Sequence, residues 1–277
     1  MFSASILMAA ALAVSVTPQK LTPGEPLRVM VSDVPEGATV SGRFLDHDLI
    51  FLAPPDRGGD RLAFSGVDLD VESGVHRLDV TLRGADGAIS TRALELRIEA
   101  KEYPLEELEV EPKYVEPPPE VSARIARESA ALKALWQTAS PEILFDGSVQ
   151  RPLPGVKGRN FGRRRVFNGE PRSPHSGTDL SAPQGTPVQA AAGGVVALAD
   201  DHYFSGRIVV LDHGGGIYTA YAHLSQIDVA AGDSVRAGQT IGRVGATGRV
   251  TGAHLHWGAR AGGARVNPDS LLELLRR

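Results

Sequence analysis

Two short stretches decide how this chain is read: Pro174-His175-Ser176-Gly177-Thr178-Asp179-Leu180 and His254-Leu255-His256-Trp257-Gly258. The first holds a histidine and a carboxylate four positions apart, the second two histidines one residue apart. Successive side chains on a β-strand point to opposite faces. A strand therefore puts His254 and His256 on one face and turns Leu255 and Trp257 into a core. One cation is thereby offered two imidazoles and a carboxylate, with a further imidazole beside it. Three protein ligands and an open fourth position is the formula of a catalytic zinc site; a structural site closes all four.

The sequence around these stretches has the texture of many short strands joined by glycine turns. Alternation and β-branching predict strands at Thr186–Ala190, Gly194–Leu198, Ile208–Asp212 and Ile217–Leu224. Pro187 cannot donate to a ladder and belongs at a strand start or edge. In the last run, strict alternation puts Ile217, Thr219, Tyr221 and His223 on one face and Tyr218, Ala220, Ala222 and Leu224 on the other. His223 then ends its strand able to meet the His254/His256 face. Six of the eight histidines fall after residue 170, and one histidine at a strand end means far less than four near one groove.

His-x-x-x-Asp followed by His-x-His-Trp-Gly resembles the lysostaphin-type (LytM-like) zinc metallopeptidases, which cut peptide bonds in bacterial cell walls. The likeness covers roughly Pro152 to Leu275. It implies that Zn²⁺ is held by His175, Asp179 and His256. It also implies that His254, with the His223 of Tyr221-Ala222-His223-Leu224, forms the unligated catalytic pair, handling protons and stabilising the oxyanion. The reaction implied is hydrolysis of peptide bonds in peptidoglycan stem peptides or cross-links by a metal-activated water. Some members cut glycine bridges and others the bond between D-alanine and the cross-linking diamino acid; family likeness favours the stem-peptide cross-link here. The alternative is a catalytically silent or autoinhibited regulator of other cell-wall hydrolases, since some relatives have lost ligands. All five positions are filled here, which argues against silence. The sequence assigns no substrate-binding residue.

Length and composition permit more than one domain. The chain has 277 residues, 42% of them hydrophobic, and a net charge of −4 that gives no reason to expect nucleic acid. It has no cysteine, so a metal must be held by histidine and carboxylate. Met1 to Ala13 is apolar, with Ala11-Leu12-Ala13 in the small-x-small pattern of a cleavage site. We read residues 1–13 as a signal peptide without a basic start, and expect export to the periplasm or cell envelope with no transmembrane span.

An all-β-dominated chain is expected. Period-two runs at Leu27–Val31, Val40–Phe44, Leu49–Leu52, Leu62–Phe64, His76–Leu82 and Leu94–Ile98 are separated by turns such as Pro23-Gly24 and Asp86-Gly87. They predict an immunoglobulin-like β-sandwich over 14–101. Residues 102–146 read as a Pro-rich linker and helix: Glu116-Pro117-Pro118-Pro119-Glu120 favours a stiff polyproline spacer, and Val121–Thr138 has helical periodicity. Residues 147–277 are then the antiparallel-β, barrel-sandwich-like LytM-type peptidase domain, closed by a terminal helix over Asp269–Arg276. Sandwich and helix together could cover the cleft until a regulatory protein acting on the N-terminal domain moves them; peptidoglycan is the other partner.

Other features carry less. Val229 to Gly242 resembles the hairpin of biotinyl and lipoyl carriers, but no lysine follows Lys157 to accept the prosthetic group. Asp46-His47-Asp48 reads as a solvated loop and His76 as a strand-edge residue. His213 reads as a turn residue before Gly214-Gly215-Gly216, not a ligand. Arg163-Arg164-Arg165 faces either solvent or anionic wall peptides, and Tyr203 sits on a rim loop.

Overall fold

The computed structural model describes residues 12–54 and 58–276. All but the last two residues of the Met1–Ala13 segment lie outside that range. Seven strands come first: Val14–Thr17 (β1), Pro26–Val31 (β2), Thr39–Phe44 (β3), His47–Leu49 (β4), Arg61–Gly66 (β5), Gly74–Arg83 (β6) and Ile89–Ile98 (β7). They form two antiparallel sheets, ordered β1-β2-β5 and β4-β3-β6-β7. Alternate residues of each sheet meet in one core, with Leu27, Val29 and Val31 from the first and Phe44, Leu78, Val80 and Ile98 from the second. The strand expected over Leu49–Leu52 stops at Leu49; Leu52 makes only an isolated bridge to Leu62.

The acidic, proline-rich stretch is partly a strand. Leu105–Leu108 (β8) runs parallel to Arg164–Phe167 (β9), which pairs antiparallel with Glu170–Arg172 (β10). The proline run ends in a 3₁₀ turn, Pro119–Val121, that leads directly into helix α1, Ser122–Trp136. Proline suits such a start because its missing N–H has no partner to lose there.

The remaining strands make one open sheet: Gly177–Leu180 (β11), Pro187–Gln189 (β12), Gly194–His202 (β13), Gly206–Gly214 (β14), Ile217–Ile227 (β15), Ser234–Val235 (β16), Thr240–Val244 (β17), Leu255–Ala261 (β18) and Ala264–Val266 (β19). Its main order is β11-β18-β15-β14-β13-β16. β17 joins β15 to β12, and β19 pairs with β18. One face buries Leu180, Val209, Leu211, Tyr221, Leu255 and Trp257. The other is partly covered by α1, whose Leu132, Leu135 and Trp136 pack on Ile208, Tyr218 and Ala222. Helix α2, Pro268–Leu275, is capped by Asn267, whose side chain accepts from the Asp269 N–H at 3.0 Å.

A third core joins the two β regions. Leu62 and Phe64 of β5 pack with Ile217, Ala261, Val266 and Leu271. A Cβ on Gly66 would come within 2.4 Å of Val266, so only glycine admits β19 at this distance. Arg265 seals the edge with ion pairs to Asp68 and Asp70.

Candidate active site

Pairing of β11 with β18 builds the site. Asp179 lies directly opposite His256, so their side chains emerge on the same face. His175 precedes β11 and is anchored by its own N–H to the Arg163 carbonyl and by its carbonyl to the Gly162 N–H. Three donor atoms converge: His175 Nε2 is 2.9 Å from His256 Nδ1 and 3.0 Å from Asp179 Oδ1, and His256 Nδ1 is 2.9 Å from the same oxygen. Among the described residues this is the one His/Asp/Glu cluster compact enough to hold a metal ion.

The donor set fits a divalent cation. His175 Nδ1 lies 2.9 Å from the Asn160 carbonyl, which can only accept, so Nδ1 carries the proton and Nε2 presents its lone pair to the cluster. Tetrahedral nitrogen ligands at about 2.0–2.1 Å would stand about 3.3 Å apart, close to the spacing found here. Gly177 lets the His256 ring lie flat on β11: a Cβ there would meet His256 Nε2 at 2.7 Å.

Burial pushes the His175 imidazole down to about 4, against the pull of Asp179. It is therefore neutral and ready to ligate at pH 7. Burial pushes the Asp179 carboxyl up, but hydrogen bonds with His175 and His256 outweigh it and hold the group well below the usual carboxylate range. Its other oxygen is held by Asn160 Nδ2 at 2.9 Å and Arg165 Nη2 at 3.0 Å, while Asn160 Oδ1 accepts from the Asp179 N–H at 2.8 Å. Such outer contacts aim a ligand as firmly as its own strand does.

The two remaining histidines stand beside the cluster. The His223 ring is 5.0 Å from that of His254 and 5.9 Å from that of His256, and His254 Nε2 is 3.7 Å from Asp179 Oδ1. His223 Nδ1 donates to the Thr247 carbonyl at 2.9 Å and His254 Nδ1 to the Gly252 carbonyl at 2.8 Å, so each turns the lone pair of Nε2 to the cleft. Burial first, then the neighbouring His256 and His254, pushes the His223 imidazole down to about 3.

The structure brings all five expected residues together but corrects how His223 arrives. Strict alternation puts it on the face of Thr219 and Tyr221. Instead the backbone turns at His223, with φ of 64°, and Leu224 rejoins the core of Tyr221 while His223 lines the cleft beside Ala222. A positive φ on a residue other than glycine is strained, and such strain collects at functional sites.

Two further expectations change. His213 is not in a turn; it is the last residue but one of β14 and fully buried, with Nδ1 donating to the Gly193 carbonyl and Nε2 2.7 Å from Thr219 Oγ1. Arg163 and Arg165 share Glu106 of β8, and Arg165 also braces Asp179. Sequence reasoning missed Asn160, since a lone asparagine in a loop announces nothing.

These residues open onto a cleft of about 340 Å³, walled by Leu108, Val110, Phe167, Phe204 and Arg249. Residues 173–268 match the family described as Peptidase family M23. DD-carboxypeptidase/endopeptidase Mpg of Neisseria meningitidis is 50% identical over 97 residues, covering 35% of this chain and 22% of that protein. Peptidoglycan DD-endopeptidase ShyA of Vibrio cholerae is 46% identical over 109 residues, covering 39% and 25%. The chain thus spans about a quarter of the length of these curated relatives. A crystal structure of an M23 peptidase from Pseudomonas aeruginosa matches over 91% of this chain and 95% of its own, at 28% identity and a TM-score of 0.67. The cluster of His175, Asp179 and His256 thus falls inside residues 173–268, the part of this chain that matches the M23, LytM/lysostaphin-type, metallopeptidases.

Proposed function

We propose that the chain is a zinc-dependent endopeptidase that cuts peptide cross-links of peptidoglycan in the periplasm or cell envelope. The observation that carries this reading is the convergence of three donor atoms within 3.0 Å of one another, flanked by two histidines that present free Nε2 atoms. Relatives named as DD-endopeptidases support the substrate class and its compartment. No helix among the described residues is long and apolar enough to cross a membrane.

His175, Asp179 and His256 would hold Zn²⁺. The bound ion would supply Lewis acidity, lowering the pKa of a water from about 15.7 towards about 7. The protein's own part is proton traffic. His254, with part of its side chain open to the cleft, accepts the proton of the attacking water at Nε2. His223 lies deeper, where burial disfavours its charged form, so the proton taken from the water does not rest on it but moves on to the leaving amine. Digestion of purified murein with and without chelator, read by muropeptide chromatography, tests the reading. Chelator-sensitive release of cross-link fragments is expected, and intact murein in both arms would refute it.

One observation favours a restrained form of the enzyme. The segment from β8 to Val115 ties two walls of the cleft together. It pairs with β9, exchanges two hydrogen bonds of 2.9 Å between Val110 and Asn168, and accepts Tyr203 Oη at the Lys113 carbonyl, with the Tyr114 ring packed at a tilt against that of Tyr203. Leu108 and Val110 thereby stand in the cleft wall. In this reading a regulatory protein pulls the strap aside. Tyr203→Ala in the full chain should then raise the rate of murein digestion, and an unchanged rate would discard the idea.

A further inference from the structure

The cleft carries an unbalanced charge. Its lining contains three arginines, Arg165, Arg172 and Arg249, and a single carboxylate, Asp179, which is committed to the metal cluster. Arg165 is paired with Glu106 and Asp179. Arg172 donates to the carbonyls of Pro171 and Val115. Arg249 differs from both: among the described residues its guanidinium has no hydrogen bond and no carboxylate partner. It is held by two aromatic rings, with Cζ 4.7 Å from the centroid of Phe167 and 4.7 Å from that of Phe204. Its backbone N–H is fixed to the Phe204 carbonyl at 2.8 Å.

That arrangement holds an arginine in place without using its donors. Ring contacts draw on the charge of the guanidinium, while its five N–H groups lie in its own plane and match a carboxylate two at a time. A cation withdrawn from water beside two like charges is costly unless an anion joins it. Burial and the nearby Arg165 and Arg172 push Arg249 down to about 10, so it remains charged at neutral pH. Among the described residues, none supplies such an anion.

Resting on the endopeptidase reading above, we infer that Arg249 recognises a free carboxylate of the cell-wall peptide and selects it over the amidated form. The carboxylate belongs either to the C-terminus of a stem peptide or to the side-chain end of the cross-linking diamino acid. Phe167 and Phe204 are the positioning residues, presenting the fork to the cleft.

The test uses the full zinc-loaded chain and two pairs of synthetic cross-linked peptides. One pair is free or amidated at the stem C-terminus, the other free or amidated at the diamino acid carboxylate. Wild type should favour the free form in one pair by ~10–100-fold in kcat/KM, chiefly through KM, as expected for a charge-assisted bidentate contact. That pair identifies the source. Arg249→Gln should bring the ratio close to one with zinc content unchanged, and Arg249→Lys should keep part of it. A wild-type ratio near one in both pairs, or an undiminished ratio in Arg249→Gln, overturns the inference. Should none of the four peptides be cut, the endopeptidase reading fails. Calorimetric binding of the same peptides then decides on Arg249: tighter binding of a free form, lost in Arg249→Gln, upholds it, and equal binding rejects it.

Discussion

The sandwich and the C-terminal sheet are both built from alternating strands, yet they bury different chemistry. Among the described residues, the buried polar or charged side chains are Ser65, His175, Thr178, His202, Asp212, His213, Thr219 and His223. Ser65 alone belongs to the sandwich. Burying a polar group costs free energy unless a partner meets it. The sandwich avoids that cost and is a stable support; the C-terminal sheet accepts it repeatedly, and meets it with the network that aims His175 and Asp179. Buried polarity, more than fold, marks where chemistry is possible.

Substitutions should separate the two regions. The largest effect is expected from His256→Ala or Asp179→Ala, each removing one donor of three: both should lose zinc on dialysis and murein digestion to the background rate. A zinc-replete Asp179→Ala enzyme would break the assignment. His223→Ala and His254→Ala come next, keeping zinc while losing ~10²–10⁴-fold in turnover; a zinc-free His254→Ala protein would make it a ligand instead. Asn160→Ala, which removes the side-chain contacts to Asp179 while keeping the backbone carbonyl that holds His175, should cost ~10–100-fold in metal affinity or activity, read by competition with a chelating dye.

Acid should sharpen the contrast in the metal-free protein. His175 and His223 are held below the ordinary 6.5, to about 4 and about 3. Above pH 6.5 they are neutral in folded and unfolded chain alike. As pH falls below 6.5 the unfolded chain takes up protons first, so stability drains away, by ~3 kcal/mol or more by pH 3. Denaturant midpoints measured from pH 7 to 3.5 should fall, and fall less in His223→Ala. The smallest effects belong to the support. Arg265→Met should cost ~1–3 kcal/mol by leaving Asp68 without its partner, and Val75→Thr, at a site 58% exposed, within ~0.5 kcal/mol. Zinc content should change in neither.

Much of this was legible in the residues. Alternation and β-branching located both β regions, even where β14 and β15 are buried on both faces, and the histidine spacing located the cluster because the chain stays extended into β18. Three things were hidden. The turn at His223 leaves no mark in an alternating run. Asn160 acts through contacts that close only when its loop meets β11. Leu105–Leu108 is too acidic to resemble a strand, and becomes one because β9 offers an unpaired edge and its arginines balance Glu106.

The packing of Leu62 and Phe64 against Val266 and Leu271 restricts how such an enzyme can be switched. Swinging the whole N-terminal half away would drag that oily seam into water, so a hinge between the halves is an expensive control. Peeling the ribbon of residues 105–115 off one edge exposes far less. An activator would need to grip only the ribbon, leaving the two halves locked as a single lever.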